Sequence, residues 1–334
     1  MDINTIAAMA GVSRATVSRY LNDGYVSDEK RARIARVIKK TGYVPSRQAQ
    51  TLRTGRTNVV GVIIPKINSA SISSMVAGIT SVLGQANYQI LLANTDNVAT
   101  SEVDYLKLFS DTGSVDGIIL VATILTPAHQ EMLEALELPH VVLGQRSEGH
   151  RCVYFDDFHA LHDIALHALV NGERPAYLGV TEADAAAGHA RHEGFLAACS
   201  ECGITPLGEE LPPSDFTIES GYLSCERLLD AHPNIDTIIC ATDRIAAGAM
   251  ACLREYGKQM PHEIQITGLG DSDLARVMNP TLTTVRYHYT EAGTIAAQML
   301  LDALGKGKES AKRVCMDYDL YARDSTRWSR TSQA

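Results

Sequence analysis

Seven cysteines spread over 334 residues are odd in number and too scattered for a disulfide framework. Cys152, Cys199, Cys202, Cys225, Cys240, Cys252 and Cys315 fall in stretches patterned as helix and strand. Cys199 and Cys202 make the only C-x-x-C, and a zinc site would need a second pair. Neither a metal nor a cofactor is therefore expected. No run of about 18 apolar residues occurs, which removes a membrane as partner. Met1-Asp2-Ile3-Asn4 lacks the basic and apolar regions of a signal peptide, so a cytoplasmic location, where free thiols are normal, is the expectation. Low-complexity tracts are missing. So are the G-x-S-x-G, G-x-x-x-x-G-K-[ST], H-E-x-x-H and G-x-G-x-x-G signatures; Gly268-Leu269-Gly270 starts like the last, but Asp273 stands where its third glycine belongs. The chain is not expected to be an enzyme.

What is present is an uneven charge. The whole carries −9, yet residues 1–58 carry +7 and 59–334 carry −16. A small basic head on a large acidic body has the electrostatics for neutralising phosphates at one end only. In the head, 3–10 and 14–21 read as short helices with Asp2 and Ser13 as N-caps and Gly11 between them, while Ile6, Val12, Val17 and Leu21 share a small core. That is a helix-turn-helix pattern. A third helix starts after Ser27, has Asp28 and Glu29 in its first turn and Lys39 and Lys40 in its last, and closes near Gly42.

From Val59 onward, short apolar runs alternate with amphipathic stretches: 59–64, 89–93, 117–122, 141–143, 177–180, 237–241 and 264–269. This is βαβ alternation around parallel sheet. It is long for a single sheet, and 152–157 reads as the crossing point where a second sheet begins. The expected fold is a small all-α helix-turn-helix headpiece plus an α/β core of two doubly wound parallel-sheet lobes, with a ligand cleft at the strands' carboxyl ends. Expected bounds are 1–45 for the headpiece, 46–57 for a hinge and 58–325 for the core. Within the core, the N-lobe takes 58–152 plus 286–312 and the C-lobe 153–285 plus 313–325.

Ala10-Gly11-Val12-Ser13-Arg14-Ala15-Thr16-Val17-Ser18-Arg19-Tyr20-Leu21-Asn22 closely resembles the helix-turn-helix signature of the LacI family of transcription regulators. A helix entering the major groove by its N-terminal end needs small or polar residues there, and Arg14, Ala15, Thr16 and Arg19 fall on the outward face. By resemblance Arg14 and Ala15 choose the operator sequence and Arg19 contacts a base, where arginine can pair bidentately with guanine. Ser46-Arg47-Gln48-Ala49-Gln50-Thr51-Leu52-Arg53-Thr54-Gly55 matches the family's hinge helix, with Leu52 at the position of a leucine wedged into the minor groove. Taken alone, so short a polar stretch serves equally as a linker. Ser18, Asn22, Tyr43, Ser46, Arg47 and Gln50 complete the expected DNA-contacting set.

The body, over 58–325, resembles the family's periplasmic-binding-protein-like core through Arg191-His192-Glu193-Gly194-Phe195, Ala241-Thr242-Asp243-Arg244 and Pro280-Thr281-Leu282-Thr283-Thr284-Val285. Tyr177-Leu178-Gly179-Val180 and Cys240-Ala241-Thr242-Asp243 look most like the trehalose and sucrose operon repressors. The resemblance implies a homodimer on double-stranded operator DNA, acting as a repressor of a carbohydrate-utilisation operon and released by a sugar effector, a disaccharide or its phosphate. Arg191 and Asp243 match ligand-contacting positions, and Lys66, Gln145, Thr242, Asp271 and Tyr287 lie in loops bordering the cleft. Asp243 has an alternative use as cap of the helix beginning at Arg244. Many family members carry an Asp-Asp pair where Gly270-Asp271 stand, so Gly270 removes one hydroxyl acceptor. Lys66 could meet a sugar phosphate, but Gln145 replaces a second cation, which leaves phosphorylated and free disaccharide both open.

Overall fold

The structure is a computed structural model and describes residues 1–43, 55–209, 211–306 and 313–327. The chain divides into two units, Met1–Asn58 and Val59–Ala334.

In the first unit, α1 (Ile3–Ala10), α2 (Arg14–Leu21) and α3 (Asp28–Thr41) enclose a core of Ile6, Ala7, Ala10, Val17, Val26 and Ile34. Two of the expected caps are made: Asp2 accepts from the Thr5 N–H at 2.9 Å and Ser13 from the Thr16 N–H at 3.2 Å. Ser27 occupies the third cap position without a side-chain bond, leaving Asp28 and Glu29 to favour that end through the helix dipole. Gly11 joins α1 to α2 at φ +59°, and a Cβ there would meet the Arg33 guanidinium, whose Nη2 donates to the Gly11 carbonyl at 3.1 Å.

The second unit holds two sheets. The first contains β1 (Val59–Ile64), β2 (Gln89–Asn94), β3 (Gly117–Val121), β4 (His140–Leu143), β5 (Cys152–Phe155) and β10 (Arg313–Met316), in the order β10-β5-β4-β3-β1-β2, all parallel. The second contains β6 (Pro175–Leu178), β7 (Thr237–Cys240), β8 (Gln265–Leu269), β9 (Thr283–Tyr287) and β11 (Tyr318–Tyr321), in the order β11-β9-β8-β7-β6, with only β11 antiparallel. Helices α4 (Ala70–Gln85), α5 (Ala99–Thr112) and α6 (Pro127–Ala135) belong to the first lobe. The second has α7 (Asp157–Leu169), a π-helix at Ala185–Ala190, then α8 (Arg191–Glu201), α9 (Ile218–Ala231), α10 (Asp243–Glu255) and the short α11 (Asp273–Val277). The last helix, α12 (Tyr289–Lys306), returns to the first lobe and packs on α4. That packing is close because Gly78 and Gly293 have no side chain: a Cβ on either would stand 2.0 Å from a carbonyl of the opposite helix.

The lobe bounds differ from the sequence reading. Cys152–Phe155 is not the start of the second sheet but an inner strand of the first, paired with β4 on one side and β10 on the other. Likewise 313–316 belongs to the first lobe and 286–287 to the second. The chain crosses after Phe155, after Tyr287 and after Met316. A parallel strand takes its partner from distant sequence, and no local pattern records that Arg313 lies opposite Cys152.

Candidate functional site

The outward face of α2 carries Arg14, Ala15 and Arg19, all exposed, whereas Val17 on the opposite face is fully buried. Thr16 is half-buried and its hydroxyl lies 2.9 Å from that of Ser13. Asn22 closes the helix, its Nδ2 donating to the Ser18 carbonyl. Tyr43 is half-buried against the three-helix core. The face therefore offers two guanidinium groups, five residues apart, beside a small side chain, which is what groove entry requires. Tyr25, just past α2 and 89% exposed, was not anticipated, although a bare aromatic in a basic head is a readable signal. Ser46, Arg47, Gln50 and Leu52 lie outside the described residues.

The fold brings Arg191 and Tyr287 together on Asp157 and sets Gln145 against Asp184, while Lys66, Thr242, Asp243 and Asp271 follow β1, β7 and β8. Arg191, at the start of α8, is 8% exposed and spends its guanidinium on two partners. Nε donates to Asp157 Oδ1 at 2.7 Å, Nη2 pairs with the same oxygen at 2.7 Å, and Nη1 donates to the Ala241 carbonyl at 2.6 Å. The Tyr287 hydroxyl donates to the same Asp157 oxygen at 3.0 Å, and the Arg191 guanidinium lies 5.5 Å from the Tyr287 ring centre. Phe155 and Tyr289 pack around Tyr287, with ring centres 5.0 and 5.8 Å from it. Burial opposes the charge on Arg191, but Asp157 beside it more than restores it. Burial also pushes the Tyr287 hydroxyl well up, keeping it a donor.

Gln145 follows β4 in the first lobe and reaches across. Its Nε2 donates to the Thr123 carbonyl at 2.6 Å and to Asp184 Oδ1, in the second lobe, at 2.8 Å. The same Asp184 oxygen accepts from the N–H groups of Ala186 and Ala187, starting the π-helix. Burial raises the Asp184 carboxyl, and these bonds oppose the rise. Lys66, half-buried, follows β1 on the first-lobe side.

Thr242 and Asp243 divide their work differently from the alternative considered above. Thr242, not Asp243, caps α10, accepting from the Ile245 N–H at 3.3 Å. Asp243 turns inward: Oδ1 accepts from the Thr284 hydroxyl at 2.6 Å and Oδ2 from the Ser272 N–H at 2.6 Å. Gly270 sits against this carboxylate at φ +131°, a conformation that favours glycine, so the missing second aspartate has a backbone reason. Asp271 is not an open acceptor. Its fully covered carboxylate binds Arg276 at 2.9 Å, Arg286 at 2.7 Å and also Arg323.

Sequence reasoning missed Asp157 and Asp184, which organise the seam. Asp157 carried a signal, two aspartates directly after the apolar run 152–155, while Asp184 carried none. A separate cavity of about 260 Å³ opens at the β6 edge between Tyr177, Glu182, His192, Glu209 and Arg227; none of the expected effector residues lines it. Among the described residues no cluster of three or more His, Cys, Asp or Glu side chains could hold a metal, and no helix is long and apolar enough to cross a membrane.

Comparison with known proteins agrees with this fold. Residues 2–46 match "Bacterial regulatory proteins, lacI family" and residues 171–326 match "Periplasmic binding protein-like domain". The chain is 33% identical over 300 residues to the sucrose operon repressor of Staphylococcus xylosus, spanning 90% of this chain and 92% of that protein. Among solved structures it is similar to a transcriptional regulator CelR–cellobiose complex, with a TM-score of 0.74 and 26% identity over 97% of this chain and 99% of that one. It shares the fold of the lac repressor dimer bound to operator, with a TM-score of 0.85 and 21% identity over 96% of this chain and 97% of that one. With a lacI-type helix-turn-helix headpiece, two parallel-sheet lobes and a relative this similar over nearly its whole length, the chain belongs to the lacI family of DNA-binding transcription regulators.

Proposed function

We propose that this regulator is a repressor of a carbohydrate-utilisation operon, released when a sugar, a disaccharide or its phosphate ester, binds between the core lobes. The observation that carries the reading is the Arg191–Asp157–Tyr287 knot together with the Gln145–Asp184 bond, which spans the two lobes. Planar donors and acceptors beside an aromatic wall suit a ring of hydroxyls. The names of the sucrose operon repressor and the cellobiose complex support the same ligand class.

Two protomers pair through their cores and set two α2 helices about one DNA turn apart on a pseudo-palindrome. Supporting this, edge strand β2 leaves Leu91 and Leu92 42% and 40% exposed, an apolar edge that a monomer would ordinarily guard. The hinge, 46–57, folds on operator and presents Leu52 to the central base step. Effector binding favours a core arrangement in which the hinge segments separate and melt, so operator and sugar weaken each other's binding by one factor. Location in the cytoplasm follows from this function.

The test is a thermal melt and an operator titration of the full chain, each with trehalose, sucrose, cellobiose and their 6-phosphates. A sugar that raises the melting temperature and loosens operator supports the reading. If none does either, the sugar assignment fails while the family assignment stands.

A further inference from the structure

The valences left open at the seam identify the charge class of the ligand. Asp157 and Asp184 each direct all their hydrogen bonds to Oδ1. Among the described residues, Oδ2 of each accepts none, and neither atom is a sealed orphan: the buried side-chain polar atoms without a partner are Asn94 Oδ1, Thr267 Oγ1, Ser272 Oγ and the Tyr177 hydroxyl. An ionised carboxylate oxygen can only accept, so whatever fills the seam must donate. Hydroxyl groups do so, whereas a phosphate dianion offers only acceptors and needs fixed cations.

Several cations near the strand ends are already paired. Arg191 is bound to Asp157 and the Ala241 carbonyl, and Arg276, Arg286 and Arg323 all converge on Asp271. In the first lobe Arg146, beside Gln145, turns to Glu148 at 2.9 Å. Gln145 itself is neutral and already committed on both sides. Against the two open carboxylates the first lobe offers Lys66, half-buried after β1.

We propose that the seam selects an uncharged polyhydroxyl effector over its phosphate ester, and that Asp184 sets this preference. The inference rests on the sugar reading above and sharpens it. Asp184 acts by position: held by Gln145 from one lobe and by two backbone N–H groups of the other, it keeps a negative oxygen at the point where both lobes face the ligand.

Calorimetric titration of the full chain with trehalose and trehalose 6-phosphate, and with sucrose and sucrose 6-phosphate, tests it. In the wild type the neutral member of a binding pair should be at least about tenfold tighter, and Asp184→Asn should narrow that ratio at least about threefold through a gain by the phosphate ester. Asparagine keeps the Oδ1 acceptor, and an unchanged melting temperature verifies the fold. A second measurement needs no variant: residual binding of the phosphate ester should strengthen as salt rises from about 0.05 M to about 0.5 M, because the opposing field is screened, while the neutral sugar stays level. A tighter phosphate ester in the wild type, weakening with salt, overturns the charge inference and leaves the sugar reading intact. An unchanged ratio in Asp184→Asn removes Asp184 as its source. Silence from every sugar in both forms overturns the sugar reading itself.

Discussion

The exposed face of α2 and the interlobe seam use the same residue, arginine, in opposite ways. Arg14 and Arg19 stand exposed on α2, each able to act alone on whatever enters its reach. Arg191 is buried, and its charge is balanced there by Asp157. The surface can therefore change its target one residue at a time, whereas the seam changes as a unit.

Asp157→Ala tests that contrast most severely. It leaves a buried guanidinium without its counter-charge, which typically costs about 3–5 kcal/mol. Thermal unfolding should show the loss in the core, with the headpiece helices unaffected; a core that melts as before would mean that the knot is dispensable. Arg19→Ala should do the reverse, costing about 1–3 kcal/mol of specific operator binding and relaxing one base pair per half-site while the core melts unchanged. Full selectivity at matched salt would show that α2 does not read bases.

A smaller effect separates folding from reading within the headpiece. Ser13→Ala removes the α2 cap and should cost about 1 kcal/mol of headpiece stability, seen by circular dichroism, with selectivity among operators kept. The smallest concerns pH at the second lobe. Burial works against a charge on His192, but hydrogen bonds at 2.8 Å to Glu182 and 2.8 Å to Glu209 raise its pKa above the ordinary 6.5. A raised folded-state value means stability that is fully present below the ordinary value and lost as pH climbs through the raised one. The melting difference between wild type and His192→Gln should accordingly shrink between about pH 5.5 and about pH 8; a constant difference would make the contact pH-independent packing.

Legibility followed the same division. The caps at Asp2 and Ser13, the inward Val17 and the outward Arg19 all depend on neighbours within four residues, and they stood in the sequence. The seven apolar runs named as strands each became one, displaced by at most two residues, because strands buried in a parallel sheet are apolar throughout and even the half-exposed edge strand β2 is apolar. Asp271 lies after β8 as expected, yet arginines take up its carboxylate. Only the fold brought Arg286 and Arg323 to it, from 15 and 52 residues away.

By itself the sequence determined a basic three-helix head, a βαβ body and the family to which both belong, since these rest on local periodicity, capping and motif. Tertiary structure decided where the lobes divide, through the insertion of β5 and β10 into one sheet. It also decided that Arg191 answers to Asp157, 34 residues away, and that Gln145 reaches Asp184, 39 residues away. Such pairings depend on which strand ends are brought together, and a buried charge is tolerable only after its partner has arrived.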